Sequence, residues 1–232
     1  MALEFPSVEA LGTVWEWSKK NLDTWFRTIG SLKNTVVEHD LGTDETLVFS
    51  IQFSFFCVFL SELATLPIFV VSEPKKLGFS LILADVVGYY LFFTLMAVCQ
   101  KVSSLIVFGH GSLRSSVIVT LFASAYLPLA HIPDYLVLIN TTSVSRFLDN
   151  YYNTAHVYEQ VFEEQPGRGV GFLATSFILA IFLMIRFIPA TRVVHRVGRF
   201  RATFLCIITM ILSVQAYIVF LLPLDKLLLS PV

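Results

Sequence analysis

Charge is scarce in this 232-residue chain: 14% of its residues are Asp, Glu, Lys or Arg, and 16 basic residues nearly balance 17 acidic ones. No basic run interleaved with stacking aromatics occurs, so nucleic acid is not an expected partner. Cysteine is nearly absent. Cys57, Cys99 and Cys206 fall in or beside apolar stretches at no metal-ligand or redox spacing, so they read as small packing residues and argue against a disulfide framework. The sequence motifs of familiar enzymes are missing too. There is no Gly-X-Ser-X-Gly elbow and no His-Glu-X-X-His, and Gly109-His110-Gly111-Ser112 lacks the Gly-Lys-Ser/Thr ending of a phosphate-binding loop. The expectation is a protein that is not an enzyme and has no metal or cofactor. Met1 to Pro6 carry neither a basic flank nor an apolar run, so no cleaved signal peptide is expected and insertion relies on the first span.

Apolar residues are abundant: 56% of the chain is hydrophobic, 22 residues are Phe, and the mean hydropathy is +0.74. A water-soluble chain of this size would expose too much apolar surface. The expected fold class is therefore all-α, a polytopic membrane helical bundle of about five transmembrane helices with an N-terminal amphipathic helix. Apolar stretches place the spans at about 47–71, 77–98, 115–132, 170–188 and 202–222. Residues 1–46 form the amphipathic segment and its linker, 47–222 the membrane domain, and 223–232 a short tail. Pro128 and Pro133 kink or end the third span, and Pro189 follows the fourth. A short helix is expected within the polar connection from Asn140 to Arg168.

Between Pro6 and Lys33, Val8, Leu11, Val14, Trp15, Leu22, Trp25, Phe26, Ile29 and Leu32 recur mostly every three or four residues, the spacing of one helix face. Glu9, Lys19, Lys20, Asp23 and Arg27 lie between them. Trp15, Trp17 and Trp25 suit interfacial anchoring in the headgroup layer; packing of the apolar face on the bundle or on a partner protein is the alternative.

Orientation follows from Lys and Arg alone. Lys19, Lys20, Arg27, Lys33, Lys101, Arg114, Arg192, Arg196, Arg199 and Arg201 lie on the N-terminal side, against Lys75, Lys76, Arg146, Arg168 and Lys226 on the other. The expectation is an integral membrane protein with a cytoplasmic N-terminus. It depends on the proline-broken third span crossing completely.

Ionisable groups inside spans are the sharpest candidates for function, since a charge at mid-bilayer costs about 2.5–3.5 kcal/mol on insertion scales. Glu62 and Asp85 fall within the first and second spans, and antiparallel neighbours would bring them to similar depth. They suit a cation or proton site; carboxylates bonded to hydroxyls, or hydrated near the interface, are the structural alternative. Arg186 near the end of span four can snorkel to the headgroups, or contact anionic lipid or phosphate together with Arg192 and Arg196. His110 and His131 flank the third span without metal spacing, and His156 and His195 read as loop residues without a role.

Gln100 to Arg114, followed by Val117 to Tyr126 and Pro128 to Pro133, resembles the Yip (Ypt-interacting protein) family of five-span membrane proteins. Ala123-Ser124-Ala125-Tyr126 and the Pro-X-X-X-Ile-Pro element carry the likeness, and Phe187 to Arg201 is similar as well. The resemblance covers about residues 47–222 and implies an integral membrane protein without an assigned reaction. The acidic N-terminal motif of the eukaryotic branch is absent, so small-GTPase binding does not carry over. The expected function is a non-enzymatic membrane scaffold or adaptor, with the bilayer and a membrane protein partner or a second copy of the chain as its contacts. The alternative is a subunit of a channel or transporter using Glu62 and Asp85.

Overall fold

The computed structural model describes residues 8–72, 79–133 and 166–221. The expected helix of the 140–168 connection, apart from that segment's last residues, lies outside them, as do the turn at 73–78 and the tail at 223–232. Among the described residues the chain is helical and holds no strand. Helix α1 runs Val8–Gly30, α2 Leu32–Glu38, α3 Asp44–Ser72, α4 Phe79–Ile106 and α5 Leu113–Ala123; a 3-10 turn Ser124–Tyr126 leads into α6, Leu127–Ala130. Helix α7 is Pro166–His195, α8 is Arg199–Ala216, and a π-helical turn, Tyr217–Leu221, follows it.

Among the described residues five segments are long and apolar enough to cross a membrane: Asp44–Ala64, Val86–Ile106, Leu113–Ala130, Leu173–His195 and Arg199–Phe220. The chain is therefore a multi-pass helical membrane protein.

Two helices run further than their composition suggests. Helix α4 continues through Gln100-Lys101-Val102-Ser103-Ser104 instead of stopping near residue 98. The serine hydroxyls bond back to the carbonyls of Cys99 and Lys101, which satisfies these polar side chains without leaving the helix. Helix α7 passes through Pro189 to His195; Pro189 forfeits one backbone donor, and its neighbour Ala190 is buried in the core.

The third span breaks where the prolines indicate. Pro128 has no N–H to give the Ser124 carbonyl, so the Leu127 N–H takes that acceptor and the chain tightens into a 3-10 turn. The span still reaches well up the bundle. His131, just past α6, meets Ser61 at 2.8 Å, about 26 Å along α3 from Asp44 at the α-helical rise.

One end of the bundle, here the base, gathers three connections. Asp44 pairs with Arg114 at 2.6 Å, joining the starts of α3 and α5. The His110 N–H donates to the His195 carbonyl at 3.0 Å, joining the α4–α5 turn to the end of α7. The main core forms where α2, α3, α5 and α7 converge, through Leu32, Val36, Phe53, Cys57, Phe122 and Val194 among others. Val58, Phe93 and Leu121 unite α3, α4 and α5 in a second cluster.

Candidate functional site

Helix α1 is seated on the break in the third span. The indole N–H of Trp25 donates to the Ala125 carbonyl at 2.8 Å, and Trp17 meets Phe56 of α3 edge-on with ring centres 5.7 Å apart. The last carbonyls of a helix lack intrahelical donors, and here two side chains of the bundle supply them. Tyr126 Oη donates to the Thr28 carbonyl at 2.9 Å, and Arg186 Nη1 donates to the Gly30 carbonyl. The guanidinium of Arg186 also lies 5.2 Å from the ring centre of Phe182. A cation at this end is favoured by the helix dipole as well. The Ala-Ser-Ala-Tyr stretch quoted for the family resemblance thus contains both the acceptor for Trp25 and the cap for α1.

Helix α2 completes the clamp. Ser31 caps its N-terminus by accepting from the Asn34 N–H. Thr28 and Thr35 share a hydrogen bond at 3.1 Å that ties α2 back to α1, and His39 stacks on Phe49 with ring centres 5.3 Å apart.

Of the candidate anchors, Trp17 and Trp25 are half-buried against the bundle and Trp15 is exposed. Of the candidate phosphate contacts, Arg186 turns to the end of α1, whereas Arg192 and Arg196 are exposed at the base.

Glu62 is half-buried on α3, next to the fully buried Ser61 that bonds His131. Asp85 lies on α4, and its side chain is outside the described residues. Tyr90 shares a hydrogen bond with Ser54 at 3.0 Å and donates to the Ile51 carbonyl at 3.3 Å. These contacts fix the antiparallel register of α3 and α4 and bring the backbone at Asp85 within about one helical turn of the height of Glu62. Among the described residues no group of three or more His, Cys, Asp and Glu could hold a metal ion.

His195 is the residue that sequence reasoning missed. It is fully buried in the last turn of α7, where its ring packs on Gly111 so closely that a Cβ on that glycine would stand 2.1 Å from Nδ1. Gly109 is wedged between Ser104 and the Cβ of His195, and Lys101 Nζ donates to the Gly111 carbonyl at 2.7 Å. Both ring nitrogens of His195 and the side-chain amide of fully buried Gln100 lack a hydrogen-bond partner among the described residues. Two glycines flanking one residue were the available signal; their partner lies far along the chain.

No protein-family model matches the chain, nor does any curated protein or solved structure. The Yip resemblance rests on the residues quoted for it.

Proposed function

We propose that this chain is a non-enzymatic membrane scaffold or adaptor that presents a fixed cytoplasmic surface to a membrane-associated partner. The observation that carries this reading is the clamp on α1. Four of its contacts to the bundle, through Trp17, Trp25, Thr28 and Gly30, hold the helix in place, while Glu16, Lys19, Lys20, Asp23 and Arg27 stay exposed. Fixed, outward-facing charges of both signs specify a partner better than they add affinity. At the base, Phe200 is 93% exposed between the exposed Arg199 and Arg201, an apolar side chain framed by cations.

Reversing the outward charges tests this without disturbing the clamp. Chains carrying Glu16→Lys, Asp23→Lys and Arg27→Glu are expected to fold as before and to lose the proteins that co-purify with the native chain in mild detergent. Recovery of the same proteins in the same amounts would reject the adaptor surface.

A second reading, a channel or transporter subunit, is favoured by one observation. The Ser61–His131 contact ties α3 to the end of the third span one residue from Glu62, and the backbone at Asp85 lies within about one helical turn of that height. Glu62→Gln and Asp85→Asn in reconstituted vesicles would leave ion and proton flux unchanged if the adaptor reading is right, and abolish it if transport is.

A further inference from the structure

Three arcs divide the surface of α1. Trp17, Asn21, Trp25 and Thr28 form the arc taken up by the bundle and by α1's own backbone. Glu16, Lys20, Asp23 and Arg27 form a charged arc, in which Asp23 and Arg27 pair at 2.9 Å. Trp15, Leu22 and Phe26 recur at the spacing of a single helix stripe and form the third, 67%, 41% and 61% exposed. A contiguous apolar stripe of this kind marks a surface that something covers.

Two contacts fix the direction in which the stripe faces. The Lys20 ammonium, at the edge of the charged arc, lies 4.7 Å from the ring centre of Phe49, whereas Trp17, on the docked arc, meets Phe56. Phe49 is about 8 Å and Phe56 about 18 Å along α3 from the base. Passing round α1 from the charged arc to the docked arc therefore climbs the bundle. The Trp15–Leu22–Phe26 arc comes next in the same rotation, so it faces the middle of the spans while the charges face the base. Helix α3 likewise turns an exposed apolar stripe outward, through Ile51, Phe55, Phe59 and Leu63.

We propose that Trp15, Leu22 and Phe26 form a lipid-binding surface. Helix α1 lies in the leaflet nearest the base, its apolar stripe among the acyl chains and its charged arc in the headgroup layer. Because Glu16 and Asp23 stand among Lys19, Lys20 and Arg27, the surface has little excess positive charge and takes zwitterionic phospholipid without requiring anionic headgroups. The proposal rests on the membrane bundle alone and is independent of the adaptor reading.

Fluorescence of the full chain in phosphatidylcholine vesicles tests it, using one variant that keeps only Trp15 (Trp17→Phe with Trp25→Phe) and one that keeps only Trp25 (Trp15→Phe with Trp17→Phe). Nitroxide-labelled acyl chains are expected to quench Trp15 by about two-fold or more, as for an aromatic at the headgroup–acyl boundary. They should quench Trp25 much less, and aqueous iodide should hardly affect Trp15. Strong iodide quenching of Trp15 without lipid quenching overturns the proposal, since the stripe then faces water. Resistance of Trp15 to both quenchers also overturns it, since protein, such as a second copy of this chain, then covers the stripe. Trp25→Phe removes the bond that seats α1, so a nitroxide placed at Phe26→Cys in a chain retaining all three tryptophans repeats the test. The native cysteines are buried, which leaves the new thiol as the site of labelling. Relaxation by oxygen exceeding that by a water-soluble nickel chelate is expected; the reverse order overturns the proposal.

Discussion

At Gly111 the space for a methyl group is already filled by the imidazole of His195, and that ring has little freedom to withdraw. Its residue is fully buried, and its carbonyl is held by the His110 N–H. Gly111→Ala is therefore expected to cost about 1–3 kcal/mol, the usual range for overpacking. Gly198→Ala, which meets nothing within 4 Å and replaces a helix N-cap residue at φ −65°, should cost less, about 0.5 kcal/mol for the poorer cap. Thermal unfolding of the purified chain in detergent compares the two, and equal midpoints would mean that the His195 ring yields freely. The opposite sign is expected at Phe108, a left-handed residue (φ 58°) that ends α4 with the Gly109 N–H bonded back to the Ser104 carbonyl. Glycine is the usual residue at such a cap, so Phe108→Gly should raise the midpoint, reflecting relief of about 1 kcal/mol. From sequence, Gly109 and Gly111 were legible as a turn. His195 was not, because a histidine among arginines after a proline reads as a loop residue, and only the fold brings it under the glycines.

Among the elements, α1 and the break in the third span explain each other. Pro128 makes the break legible in sequence, and the tightened turn presents the Ala125 carbonyl to Trp25 and the Tyr126 hydroxyl to the end of α1. Tyr126→Phe keeps the ring against Phe182 but removes the cap on Thr28. A loss of about 1 kcal/mol is expected. Proteolysis within residues 8–30 should become faster while the spans stay protected; an unchanged cleavage rate would show that the hydroxyl does not hold α1. The sequence posed packing on the bundle and lying in the headgroups as alternatives for this helix, since periodicity reveals an apolar face but not how wide it is. The structure gives Trp17 and Trp25 to the bundle and leaves Trp15 outside. Element ends were the least legible feature: α4 runs past Lys101 because its serine hydroxyls bond back within the helix and Lys101 reaches the Gly111 carbonyl, and α7 runs past Pro189, which forfeits only one backbone donor.

For the whole molecule, five apolar crossings were legible from composition alone, and the structure supplies the arrangement that hydropathy lacks. The Asp44–Arg114 and His110–His195 contacts bring the three near connections to one end. Lys101, Arg114, Arg192, Arg196, Arg199 and Arg201 therefore gather there, as the positive-inside assignment requires of loops on one side. Asp40→Cys, Ser112→Cys and Gly198→Cys stand at exposed positions in these connections. All three are expected to resist a membrane-impermeant maleimide added outside intact cells and to react once the membrane is opened. Labelling of one of them from outside would break the shared side, and labelling of all three would invert the topology.

The link between α7 and α8 consists of Arg196, Val197 and Gly198, with Arg196 left-handed at φ 52°, and Cys206 reaches back across it to Thr191 at 3.5 Å. So short a tether has no slack to store on one side of a bilayer. The last two spans are therefore held antiparallel and side by side, and neither can slide along the membrane normal without carrying the other.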